Sequence, residues 1–223
     1  MSATLHRGNA RFAGVMFLVA MTSSLTGGTL IQAVLDQPDV LSRLTDESST
    51  VIAGIVLELV NALAVIGIVA ALWTPLSRSH PATTVGYLGV RIIEATVCAA
   101  AALLPLTQLS LAGQPDHSGA ESAVELLSIV RSSMVSYAVP IFFGIGAALL
   151  YLLLHRSALV PRYITIWGLI GAAGVMANVF VSEPAIQPIL VLPIIANEIY
   201  LGVYLISRGL RRPEQRANAP ALT

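Results

Sequence analysis

Apolar residues fall into six long blocks along this chain, at 12–35, 50–73, 84–111, 120–154, 163–181 and 189–207, and polar residues are largely confined to the short segments between them. About 20 mainly apolar residues in helical form cross the ~30 Å hydrocarbon layer of a bilayer. Only helices and closed barrels satisfy their backbone groups there. The pattern therefore predicts an all-α integral membrane bundle of six transmembrane helices. Pro38, Pro75, Pro81, Pro161, Pro184 and Pro188, with Gln114-Pro115-Asp116, lie in the predicted connections, where turns and helix starts belong. No stretch is left over for a soluble domain, so residues 1–209 are read as one membrane domain and 210–223 as a short polar cytoplasmic tail.

The fourth block is too long for a simple span. In its first half Glu121, Glu125, Ser128, Arg131 and Ser132 recur at three- and four-residue steps, a polar stripe on one helical face. Pro140 then interrupts the apolar half, where it removes a backbone hydrogen bond and favours a kink. Two readings stay open: one long kinked helix, or an interfacial helix leading into a span that begins near Ser133. His6, Arg7 and Arg11 ahead of 12–20 have the look of a signal-peptide start, but the apolar stretch continues past Gly27-Gly28 to Leu35, so the first block is read as a retained span.

Charge sets the orientation. Arg7, Arg11, Arg78, Arg156, Arg162, Arg208, Arg211, Arg212 and Arg216 fall on one side of six alternating spans, and the opposite loops hold only Arg43 among several acidic residues. Cytoplasmic loops carry the basic excess, so both termini are expected in the cytoplasm of a bacterial cell membrane. Trp73, Tyr87, Tyr151, Tyr163 and Trp167 lie near the predicted cytoplasmic ends, as an interfacial aromatic belt would.

Composition agrees with the pattern. The chain is 56% hydrophobic and 11% charged, against roughly 45–50% and 25% for a soluble domain, and mean hydropathy is +0.80. Formal net charge is zero, which gives no reason to expect a nucleic-acid partner. One cysteine, Cys98, excludes an intrachain disulfide, and His6, His80, His117 and His155 have no ligand spacing. No metal and no cofactor are expected.

The candidate chemistry lies in the ionisable residues inside the blocks. Arg91 and Glu94 are three apart and share a face, with Glu94 about ten residues, or roughly 15 Å, into its span. Glu198 lies at nearly the same depth in the last block, and Glu58 shares a face with Asn61 in the second. A charge at the bilayer centre costs about 2.5–3.5 kcal/mol on insertion scales, so these groups are expected to face one another or a wet cavity. Arg91, Glu94, Glu198, Glu58, Asn61 and Asn197 form the predicted buried polar cluster or binding site. The bland reading makes Arg91 a clamp, paired with Glu94 or Glu198, that joins helices three and six. Arg131 is read as a snorkelling interfacial residue, and Asn178 and Asn197 as interhelical hydrogen-bonders. The small residues Gly144, Ala148, Gly168, Gly171, Ala172 and Gly174 permit close helix packing, read chiefly as internal and alternatively as a homodimer face. Ser132, Ser133 and Ser136 have no His or Asp neighbour at matching depth, and neither GxSxG nor HExxH occurs.

Four stretches match a known pattern. They are Asn9-Ala10-Arg11-Phe12-Ala13-Gly14, Arg91-Ile92-Ile93-Glu94, Leu154-His155-Arg156-Ser157 with Pro161-Arg162, and Pro193, Glu198 and Leu205-Ile206-Ser207-Arg208-Gly209. In their order and spacing, over about 11–209, they resemble an uncharacterised bacterial family of multi-pass membrane proteins of unknown function, common in actinobacteria. The resemblance implies a helical membrane bundle and supplies neither an activity nor a catalytic residue.

Three function classes follow. The preferred one is a non-catalytic membrane protein that binds lipid, a small apolar molecule or a partner, with the Arg/Glu cluster buried inside it. The second is an intramembrane acid–base enzyme acting on a lipid or prenyl substrate, as small membrane terpene cyclases do, with Glu94, Glu198 or Glu58 as acid or base. The third is a small proton-coupled transporter. The lack of an internal repeat weighs against the third, and the lack of aspartate-rich or tryptophan-rich pocket motifs against the second.

Overall fold

The computed structural model describes residues 2–114 and 119–211. Among them all regular structure is helical: α1 (Ser2–Leu35), α2 (Val40–Asp46), α3 (Ser48–Ser77), α4 (Pro81–Ala112), α5 (Ala120–Ser133), α6 (Val139–Arg156), α7 (Arg162–Asn178) and α8 (Gln187–Ser207). Runs rich in Val and Ile stay helical here although they favour strands in water. In hydrocarbon a helix satisfies every backbone group within one segment, and that requirement outweighs intrinsic propensity.

Five helical segments are long and apolar enough to cross a membrane: Arg7–Leu35, Ser48–Ser77, Pro81–Ala112, Ala120–Arg156 and Gln187–Ser207. The fifth apolar block departs from expectation. Its helix, α7, stops at Asn178 after 17 residues, because Val179 and Phe180 turn ahead of Glu183 and Pro184. The first loop contains the short helix α2. Pro75, expected in a turn, lies in the last turn of α3.

The fourth block is one continuous helical segment. A turn of π-helix, Met134–Ala138, joins α5 to α6, with the Val139 amide donating to the Met134 carbonyl five residues back. Pro140 follows immediately and lacks the amide that would bond the Ser136 carbonyl. The wider turn is the local answer to that missing donor.

The six long helices pack in the order α1, α3, α4, α6, α7, α8 and back to α1, forming a closed ring; α5 leans on α4, and α2 covers one end. Close approach requires glycine at two crossings. A Cβ on Gly54 of α3 would come within 2.9 Å of the Gly27 carbonyl of α1, and one on Gly202 of α8 within 3.1 Å of the Gly14 carbonyl. The small residues of α6 and α7 face neighbours in the same chain: Gly168 takes the Tyr151 ring, Gly171 the Ile194 backbone, Gly174 the Leu190 carbonyl and Gly144 the Met176 side chain.

Two apolar cores occupy the ends of the ring. One gathers Phe17, Leu72, Tyr87, Tyr151, Leu154 and Leu205. At this end Arg11 Nε donates to the Ile206 carbonyl at 3.3 Å and the Arg211 amide to the Leu159 carbonyl at 2.8 Å. The other core gathers Ile31, Val34, Leu44, Val51, Ile55 and Val124. Tyr87 and Tyr151 are fully buried, which corrects their assignment to an interfacial belt: both rings pack into the first core. Trp73 and Tyr163 do lie exposed. The proposed tail falls almost wholly outside the described residues, as do Arg212, Arg216 and His117.

Candidate functional site

Between the two cores lies a cavity of about 230 Å³, bordered by residues from all six helices of the ring. Its wall is mostly apolar, with Phe17, Val65, Phe143 and Ile194 among the lining side chains, and its polar groups are Asn61, Arg91, Glu94, Asn178 and Glu198, with Ser24 and Cys98.

Arg91 and Glu94 project from successive turns of α4, and Arg91 Nη1 reaches both carboxylate oxygens at 2.9 and 2.8 Å. Arg91 is 2% exposed. Its guanidinium carbon lies 5.5 Å from the ring centres of both Tyr87 and Phe143, within cation–π range. The absence of a side chain at Gly146 makes the room: a Cβ there would come within 3.0 Å of Arg91 Nε. Nε and Nη2 have no hydrogen-bond partner. This ion pair lies within one helix and does not form the predicted link between helices three and six; across the bundle Arg91 meets the Phe143 ring of α6.

Glu198 reaches the same cavity from α8 and is buried. It makes no ion pair or hydrogen bond among the described residues. Asn61 borders the cavity from α3. Asn178, expected to bond between helices, instead borders the cavity with its carbonyl oxygen unpartnered. Asn197 lies away from these groups and donates to the Ile164 carbonyl of α7 at 3.0 Å.

Glu58 belongs to a different centre. Arg131 donates to it from α5 in a two-pronged pair, at 2.6 and 3.0 Å. Arg131 is 3% exposed, which corrects the snorkelling assignment: its charge is neutralised in place. Arg131 Nη1 also donates to the Ala101 carbonyl at 2.6 Å. That carbonyl is free because Pro105, four residues on, has no amide to offer it. Sequence reasoning missed this link, which joins residues 73 apart. It missed Gln108 too, which is fully buried and donates to the Val124 carbonyl at 3.0 Å and to Ser128 at 2.8 Å. A lone amide in an apolar block was the available signal for that bond. The polar stripe of α5 thus partly faces α4 through Ser128 and Arg131, while Leu126 and Ile129 point outward.

No group of three or more metal-ligating side chains converges among the described residues. The family described as Domain of unknown function (DUF4386) matches residues 12–209. Neither the comparison with curated proteins nor that with solved structures gives a significant match.

Proposed function

This chain belongs to the DUF4386 family, a family of unknown function, and we propose that it is a bacterial cell-membrane protein of six crossings that binds a small amphipathic molecule in the cavity at the centre of its ring. Five of the crossings rest on the long apolar segments. The sixth is α7, whose 17 residues extend roughly 25 Å, at the lower limit for a span. The arginine excess at one end of the ring supports cytoplasmic termini.

The cavity carries the functional reading. A bundle that needed only stability would close around Leu and Ile at van der Waals density. This one keeps about 230 Å³ open beside two carboxylates and a guanidinium. That exceeds the ~150 Å³ void that admits benzene and falls short of the ~300 Å³ at which drug-sized sites begin. The occupant on this reading is a compact molecule, or one end of a longer one, with an apolar body and a polar tip.

Purified protein in nanodiscs tests it. Benzyl alcohol should bind saturably, and Val65→Phe, which pushes a ring into the cavity from α3, should remove the binding while the protein still melts cooperatively. Lack of saturable binding of benzyl alcohol and of its charged analogues to the native chain, or binding undiminished in the filled variant, would overturn the reading. One observation favours a second reading: an unpaired buried carboxyl group in a cavity is the arrangement an intramembrane acid–base enzyme uses. Glu198→Gln would then bind a substrate without converting it.

A further inference from the structure

We infer that the polar tip of the ligand is a cation, an organic ammonium group for which Glu198 is the counter-ion. The inference rests on the cavity-binding reading above. Arg91 and Glu94 balance each other within α4. Glu198 then leaves the cavity with one more carboxyl group than guanidinium, and it is 7% exposed with no hydrogen bond or ion pair among the described residues. Asn178 adds a buried carbonyl oxygen that no donor reaches. An ammonium group supplies both missing features at once, a positive charge for Glu198 and several N–H donors for the acceptors around it.

A carboxylate ligand would place a second unmatched negative charge in the same enclosure. An alcohol would donate one hydrogen bond and leave the charge unmatched. The unused Nε and Nη2 of Arg91 offer an anion N–H donors, but on a group whose charge Glu94 already balances. The apolar body of the amine fits the rest of the wall, where Phe17 and Phe143 present aromatic rings that also attract cations.

Benzylamine, benzyl alcohol and benzoate share one ring and differ in charge, so the three are titrated into the protein in nanodiscs of zwitterionic lipid, read by calorimetry. Benzylamine should bind at least tenfold more tightly than benzyl alcohol, and benzoate should not bind measurably. Glu198→Gln should bring the amine down to the level of the alcohol. Asn178→Val should weaken the amine several-fold, and Glu125→Gln, an exposed acidic position on α5, should change nothing. Benzoate binding most tightly, or an amine preference that survives Glu198→Gln, overturns the ammonium inference and leaves the cavity-binding reading standing. Failure of all three probes to bind overturns both. The ranking in the native protein decides without any variant that fails to fold.

Discussion

Arg131 is held by three short hydrogen bonds, two to Glu58 of α3 and one to the Ala101 carbonyl of α4. Arg131→Met therefore strands the Glu58 carboxylate and leaves unbonded the carbonyl that Pro105 cannot serve. Removing one partner of a buried pair costs about 3–5 kcal/mol. Glu58 retains some access to solvent, with its side chain 14% exposed, so the lower half of that range applies, and the lost carbonyl bond adds about 1 kcal/mol. At about 2–4 °C per kcal/mol for a chain of this length, the melting temperature should fall by roughly 8–20 °C. Arg131→Met with Glu58→Leu removes both charges and should recover most of that loss. Adding Pro105→Ala restores an amide for the Ala101 carbonyl and should recover part of the remainder. The exposed Arg43–Glu47 pair on α2, at 3.0 Å, is the internal control, and Arg43→Met should cost no more than about 0.5 kcal/mol. Thermal unfolding in nanodiscs reads all five variants. If Arg131→Met and Glu58→Leu add independently, or if Arg131→Met costs no more than Arg43→Met, the pair does no structural work and the argument fails.

Gly174→Ala sets a methyl against the Leu190 carbonyl and should cost about 1–3 kcal/mol, whereas Gly89→Ala, which meets nothing within 4 Å, should stabilise α4 by about 0.5–1 kcal/mol; equal melting temperatures for the two would refute the helix packing described. Gln108→Leu loses both of its bonds to α5 and should lower stability by roughly 0.6–1.7 kcal/mol, with amide exchange along α5 rising first; unchanged exchange there would contradict the link. For topology, in a Cys98→Ser background, Asp46→Cys and Glu183→Cys should react with an impermeant thiol reagent on intact cells, and Ser79→Cys and Arg208→Cys should not. Labelling at Ser79 would invert or break the six-crossing assignment.

The helical blocks were legible because hydrocarbon imposes a single rule on the backbone, and the same rule makes a block's edges soft. α1 begins ten residues ahead of its apolar block, at Ser2, since a helix continues into water at little cost. α7 ends three residues short of its block because the turn before Pro184 claims them. Arg91 beside Glu94 was legible from spacing alone, being a contact within one helix. The partners of Arg131 and Glu58 were not, because nothing local marks which turn of α5 meets which turn of α3. Pro105 could have hinted at them: a proline deep in a span leaves a carbonyl in need of a donor, and a buried arginine is a donor in need of acceptors.

The two buried arginines solve opposite problems. Arg131 bridges three helices, its outer nitrogens are occupied, and its partner carboxylate is engaged through both oxygens. Among the described residues Nε alone of that guanidinium is left without a partner, and the ion pair is satisfied within the chain. Arg91 spends one nitrogen on a carboxylate of its own helix and leaves Nε and Nη2 idle, with Glu198 unpaired among the described residues at the edge of the same open space. A pair within one helix adds little to bundle stability, yet burying it costs as much as burying a bridge. The surplus cost at Arg91, Glu94 and Glu198 finds no return in the folded chain alone. On the proposed reading a ligand entering the cavity offsets it, and for that reason the central cluster, and not the less buried pair at Arg131, is where binding is expected.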